Sequence, residues 1–186
     1  HVSPNVVNRL LAGKTESMNE TREVCVMFLD IRGFTEFSES RSPEEVIEYL
    51  NRLFRFMVDI INTNKGIINK FLGDGFMAVF GAPESDANYI TNAVNAALEI
   101  LLHVEKEIAL NNIPATRIGI GIHSGKAVTG IIGSEKRMEY TIIGDVVNLA
   151  SRIEQENKRL NSQLLVSEEV WNSTEHGSIS AKYIGE

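Results

Sequence analysis

The 186-residue chain has one cysteine, no long apolar run and no surplus of positive charge. Each shortage excludes something. With Cys25 alone, no intramolecular disulfide can form, and its place in the run VCVMFL marks it as a small packed hydrophobe. A reducing, cytoplasmic setting is therefore expected. No stretch approaches the roughly 18 apolar residues that span a bilayer, and the N-terminus carries no secretory signal pattern. The net charge of −7 argues against a nucleic-acid partner, which leaves a basic footprint on its binder. A local basic pocket for a phosphorylated metabolite stays open. Internal repeats and low-complexity tracts are missing too.

What is there is the composition of a soluble globular protein, with 43% hydrophobic and 23% charged residues. The length suits one domain with a sizeable core. The chain starts at His1 rather than methionine and ends in KYIGE, which reads as a strand cut short. The expectation is a piece of a longer protein: a lead-in helix (residues 3–12) and linker within 1–22, then one domain over 23–186, truncated at its C-terminus. A regulatory or sensor domain is expected upstream, and a membrane anchor could lie outside the piece.

Periodicity then sets the elements. EVCVMFLD (23–30) reads as a buried strand broken at Gly33. Ser42-Pro43-Glu44-Glu45 predicts a helix start, with Ser42 as N-cap, proline at the first position and a glutamate closing a capping box. Val46, Leu50, Leu53, Phe54, Met57, Val58 and Ile61 then recur at helical spacing, and Gly66 is expected to end the helix. Two strands flank Gly73-Asp74-Gly75, a hairpin signal. Asp86 is expected to cap a second long helix, with Ile90, Val94, Ala97, Leu98, Leu101 and Leu102 on its inner face. Strands at 116–123 and 127–132 are joined by HSGK, and GSEKRMEY is expected to project as an arm. A third helix begins near Asp145. A short strand QLLV, a short helix and a final partial strand close the chain. The order β-α-β-β-α-β, then more strand and helix, implies an α+β fold. It is ferredoxin-like, with a mixed sheet, helices on one face and C-terminal additions.

Four groups could carry chemistry. Asp30 closes a buried strand and Asp74 sits at a hairpin tip; brought together, two carboxylates repel unless a cation binds. Their oxygens select hard ions such as Mg²⁺ or Mn²⁺. Both aspartates are equally at home in a bare strand end and a bare turn. DIRGFT puts a glycine between strand and helix, where backbone N–H groups can approach phosphate, with the Thr35 hydroxyl beside them. A plain strand-to-helix turn reads the same way. Asn148 and Arg152 are i and i+4, one helix face, and suit phosphoryl chemistry; the strongly polar SRIEQENKR equally suits a solvated face. Lys70 could reach a base if its strand lines a pocket. His123-Ser124 lacks the surroundings of a hydrolase nucleophile, and His1, His103 and His176 show no metal-ligand spacing.

In their order, VMFLDIRGFTEFSE, NKFLGDGFMAVFG and RIGIGIHSGKAVTGIIGSEKRMEYTIIGDVVNLASRIE closely resemble the class III adenylyl/guanylyl cyclase catalytic domain, from about Val6 to the end. The resemblance implies roles. Asp30 and Asp74, with the carbonyl of Ile31, match ligands of two Mg²⁺ or Mn²⁺ ions. Gly33, Phe34 and Thr35 match the loop that holds the β- and γ-phosphates. Lys70 and Thr141 match the base-reading pair, and Asn148 and Arg152 the pair that stabilises the transition state. The implied activity is adenylyl cyclase: the ATP 3′-hydroxyl attacks its own α-phosphorus and pyrophosphate leaves, giving 3′,5′-cyclic AMP. Family members work as dimers with shared sites, so a homodimer is expected, with the GSEKRMEY arm against its partner.

Guanylyl cyclases of the family place glutamate and a small cysteine-like residue where this chain has Lys70 and Thr141, which favours ATP. The Lys–Thr pair resembles a bacterial subclass often responsive to bicarbonate. The family's further triphosphate-binding lysine has no counterpart, since Lys182 stands too early in the pattern. A guanylyl cyclase, or a catalytically silent nucleotide-binding dimerisation module, are the alternatives.

Overall fold

The computed structural model describes residues 20–134, 137–174 and 180–185. The expected lead-in helix and most of the linker lie outside the described residues. In chain order the elements are β1 (Glu20–Ile31), α1 (Phe34–Glu39), α2 (Pro43–Thr63), β2 (Gly66–Phe71), β3 (Gly75–Phe80), α3 (Tyr89–Ala109), β4 (Ile118–Ser134), β5 (Arg137–Ile143), α4 (Asp145–Leu160), β6 (Leu164–Val166) and α5 (Glu168–Asn172). The sheet order is β2-β3-β1-β4-β5, with β6 also on β4. Among the described residues only the β4–β6 pairing is parallel, so the sheet is mixed and the fold α+β.

Alternation along β1 sorts the core into two layers. Cys25, Met27, Leu29 and Ile31 join Phe76, Ala78 and Phe80 of β3 and Ile118, Ile120 and Ile122 of β4. Against them lie the apolar stripes of α2 (Tyr49, Leu53, Met57, Ile60 and Ile61) and α3 (Ala93, Val94, Ala96, Ala97, Ile100 and Val104). The expected one-sided helix layer holds for this long pair. Val24 and Val26 face the other way, into a second cluster with Met77, Val79, Ala127, Tyr140, Ile142, Val146 and Ala150. The added helix α4 therefore covers part of the opposite face.

Several local expectations are corrected. HSGK is not a loop: Ser124, Gly125 and Lys126 pair with Cys25, Val24 and Glu23, so β4 is one strand of 17 residues. Pairing along β1 overrides the turn-like composition. The expected GSEKRMEY arm needs no correction: its described residues extend β4 and β5, paired in register from Ser134↔Arg137 to Val128↔Ile143, and residues 135–136 lie outside the described residues. Leu102 is 67% exposed, because the stripe of α3 runs through Ile100 and Val104 instead. Asp86 is not the N-cap of α3: Asn88 holds that position without a side-chain cap hydrogen bond, and Asp86 accepts from the Asn88 N–H (2.9 Å) and Asn92 Nδ2 (3.2 Å). Gly66 opens β2, where a Cβ would meet the Phe80 ring at 2.5 Å, while Lys65 takes the left-handed turn after α2. Residues 180–185 form no strand.

The capping box is present: Ser42 Oγ accepts from Glu45 N–H, and Glu45 accepts from Ser42 N–H. Among the described residues, no helix is long and apolar enough to cross a membrane.

Candidate active site

Asp30 is the penultimate residue of β1, on the α4 side of the sheet, and both its ladder partners are glycines, Gly75 on β3 and Gly119 on β4. No side chain from either neighbour closes over it. Asp74 precedes Gly75 in the β2–β3 turn, so the register brings the two aspartates together. Burial, then the nearby Asp74 charge, push the Asp30 pKa up, against the pull of Arg32 and Lys158. Ile31 follows, buried in the layer beneath α2 and α3.

Arg32 holds the next position. Its Nη1 donates to Asp30 Oδ2 at 3.2 Å. Its Nη2 donates to the carboxylate of Glu154 and, at 3.0 Å, to the Glu154 carbonyl. Gly119 makes the space, since a Cβ there would lie 1.9 Å from that nitrogen. Glu154 is buried on the inner face of α4, and burial raises its pKa against the pull of Arg32. Gly121, two residues along β4, lets the backbone of α4 lie directly on the strand: a Cβ would come within 2.2 Å of Glu154 N. Arg32, Glu154 and Lys158 were not singled out from the sequence. The available signal was Gly119 and Gly121 alternating with isoleucines, which says that something large approaches one face of β4.

The oxygen donors fit divalent cations of the Mg²⁺ or Mn²⁺ class. The Asp30 carboxylate at the end of β1 and the Asp74 carboxylate in the β2–β3 turn stand side by side. Among the described residues there is no group of three or more His, Cys, Asp or Glu side chains arranged around one ion. Such a site leaves coordination positions for water and phosphate oxygens.

Asn69 and Tyr140, the residues before Lys70 and Thr141, come into contact although β2 and β5 stand at opposite ends of the strand order. The long β4 carries β5 back over the Val24–Val26 face, and Tyr140 and Ile142 pack there with Ile67 of β2. A bulge between Ile68 and Lys70 frees Asn69 from the ladder, and its Nδ2 donates to the Tyr140 carbonyl at 3.1 Å. Lys70 and Thr141 are the next residues on each strand. Lys70 is exposed and Thr141 half-buried.

Asn148 and Arg152 share the exposed face of α4. Asn148 lines an open depression of about 440 Å³ with Ile142, Ile143, Gly144, Asp145 and Val147. Gly33 takes a left-handed conformation (φ 71°) with open space around it, and Phe34 and Thr35 begin α1. Phe34 packs on the core and Thr35 is exposed. Lys182 is exposed in a segment without helix or strand. His123 is a packed structural residue, its Nδ1 2.9 Å from Ser167 Oγ.

Comparison with known proteins converges on one family. The model of the adenylate and guanylate cyclase catalytic domain matches residues 16–186. Adenylate cyclase 1 of Rhizobium meliloti is 38% identical over 149 residues, 78% of this chain and 22% of that protein. The chain spans about a third or less of the length of the curated relatives it matches. Among solved structures, the guanylyl cyclase Cya2 superposes with a TM-score of 0.75 at 34% identity, covering 83% of this chain and 79% of that one. The adenylyl cyclase CyaB from P. aeruginosa gives 0.75 at 32% identity, covering 87% and 83%. With strand-end aspartates, an open helix face and neighbours of both specificities, the chain belongs to the class III adenylyl/guanylyl cyclase catalytic domains.

Proposed function

We propose that residues 23–186 act as an adenylyl cyclase, converting ATP to 3′,5′-cyclic AMP and pyrophosphate as a homodimer. Residues 1–22 lead in from an upstream regulatory or sensor domain. The observation that carries the proposal is the register that sets Asp30 between two glycines and beside Asp74. Asp30, Asp74 and the Ile31 carbonyl would hold two Mg²⁺ or Mn²⁺ ions. Bound there, such ions lower the pKa of the 3′-hydroxyl and neutralise phosphate charge.

The remaining work falls to the chain's own groups. Backbone N–H groups from Gly33 to Thr35 bind the β- and γ-phosphates. Adenine offers an acceptor at N1 and a donor at N6. The Lys70 ammonium matches the first and the Thr141 hydroxyl the second. Guanine would turn an N–H toward the ammonium, which favours ATP. Asn148 orients the ribose, and Arg152 offsets charge developing on the α-phosphoryl oxygens. Removing such a preorganised donor costs about 2.7–4 kcal/mol of barrier, on the order of 10²–10³ in rate.

A product assay tests this. The protein is incubated with ATP or GTP and Mn²⁺ or Mg²⁺, beside Asp30→Ala and Asp74→Ala, and the nucleotides are separated by chromatography. Cyclic AMP from ATP, lost in both variants, is the expected result. Cyclic GMP as the main product would make it a guanylyl cyclase, and no cyclic product would leave a nucleotide-binding dimerisation module.

A further inference from the structure

Arg32 and Glu154 have no part in the chemistry described above, yet they occupy its most constrained corner. The guanidinium lies over Gly119, with one arm on Asp30 and the other on Glu154. Its Nε is buried without a hydrogen-bond partner. Glu154 is 7% exposed, so the charge of Arg32 is what balances it. Around this point stand the carboxylates of Asp30, Asp74 and Glu154 and the cations of Arg32 and Lys158.

From this geometry we infer that Glu154 is a positioning residue that holds Arg32 back from Asp30 and so sets the affinity of the Asp30–Asp74 pair for a divalent cation. The inference rests on the metal-binding reading of those aspartates. Arg32 is the natural competitor for any cation at Asp30, because a guanidinium forks readily onto a carboxylate. In this structure it reaches Asp30 through one nitrogen at 3.2 Å, while two acceptors of Glu154 hold the other. The Glu154 carbonyl is part of the α4 backbone, so the clamp also fixes the helix that carries Asn148 and Arg152 against the strand that carries Asp30. Removing the Glu154 charge has two effects of the same sign. The site loses one negative charge, and Arg32 is released to pair fully with Asp30. Replacing both residues removes the competitor together with its restraint. It also avoids leaving a buried charge unpaired.

The test is direct Mn²⁺ binding to the 186-residue chain without nucleotide, read from the electron paramagnetic resonance signal of free Mn²⁺. The proteins are wild type, Asp30→Asn, Glu154→Gln and the double variant Arg32→Gln/Glu154→Gln, each checked for folding by circular dichroism. Outer partners of a metal site change affinity by about 10–100-fold. Glu154→Gln should weaken Mn²⁺ binding within that range, and the double variant should recover most of the loss. A merely structural Glu154 predicts the opposite order, with the double variant at least as weak as the single one. That order, or unchanged affinity in Glu154→Gln, overturns the inference alone. Wild-type protein that binds no Mn²⁺, or binds it equally well as Asp30→Asn, overturns the metal reading and the inference with it. If Glu154→Gln fails to fold, the double variant decides: affinity near wild type supports the inference, and a large loss sinks it.

Discussion

Asn69 is the residue that turns two distant strands into one candidate base site. The bulge in β2 takes it out of the ladder, and its Nδ2 donates to the Tyr140 carbonyl on β5. Its Oδ1 is buried with no hydrogen-bond partner. The side chain therefore stabilises little on balance: one hydrogen bond, worth about 1 kcal/mol, against an unsatisfied acceptor of similar cost. Its contribution is placement, since Lys70 and Thr141 flank that contact. Asn69→Ala should leave thermal stability nearly unchanged. It should raise the KM for ATP and lower the preference for ATP over GTP, with kcat less affected because Asn148 and Arg152 sit on another element. Steady-state kinetics with both nucleotides, beside a thermal melt, decide it; an unaltered preference with a lowered kcat would show that Asn69 does not place the pair.

At the scale of elements, the packing of α5 on β4 gives a pH dependence. Ser167 caps α5 through Val170 N–H, and its hydroxyl also meets His123 Nδ1. Burial holds the His123 pKa below its ordinary 6.5, opposed by the nearby charge of Glu169. The unfolded chain therefore binds the proton first as pH falls. Stability is fully present above the unfolded value and is lost as pH drops from there through the folded pKa. Melting temperature should fall between about pH 7.5 and about pH 5.5, and fall less in His123→Gln; equal slopes for the two proteins would rule this histidine out as the cause. The elements themselves were unequally legible. α2 announced itself because its signals are local: a capping serine, a proline, a glutamate and a helical stripe. The Gly73–Gly75 hairpin was legible for the same reason. β4 was split in two because Ser124, Gly125 and Lys126 form a strand only through pairing with Val24 and its neighbours on β1. The site divides likewise. Asp30, Asp74, Asn148 and Arg152 stand in recognisable runs; Arg32 and Glu154 stand in the same runs, but nothing local marks them as partners, because they meet only over the empty face of Gly119.

At the scale of the molecule, one chain does not turn all its candidate groups toward one substrate. Val146, Ala150, Glu154 and Asn157 form the inner face of α4, and Glu154 reaches Arg32 beside Asp30. At about 100° per residue, Arg152 points roughly 200° away from Glu154. The Asn148–Arg152 pair thus faces outward while Asp30 lies under the inner side of the same helix. A second copy can supply the missing half, and exposed Val128 and Ile143, paired across β4 and β5, with Leu149 on α4, give an apolar surface beside Asn148 for it to cover. The consequence is complementation. Asp30→Ala retains an intact Asn148–Arg152 face, and Arg152→Ala retains intact aspartates. Each alone should be nearly inactive. Mixed in equal amounts, random pairing puts half the dimers in the mixed form, each with one complete site of two. Activity should then return to about a quarter of the wild-type value under two-fold symmetry, and activity per molecule of the wild type should rise with protein concentration. A mixture as inactive as its components, from variants shown by sedimentation to form dimers, would mean that each site is built within one chain.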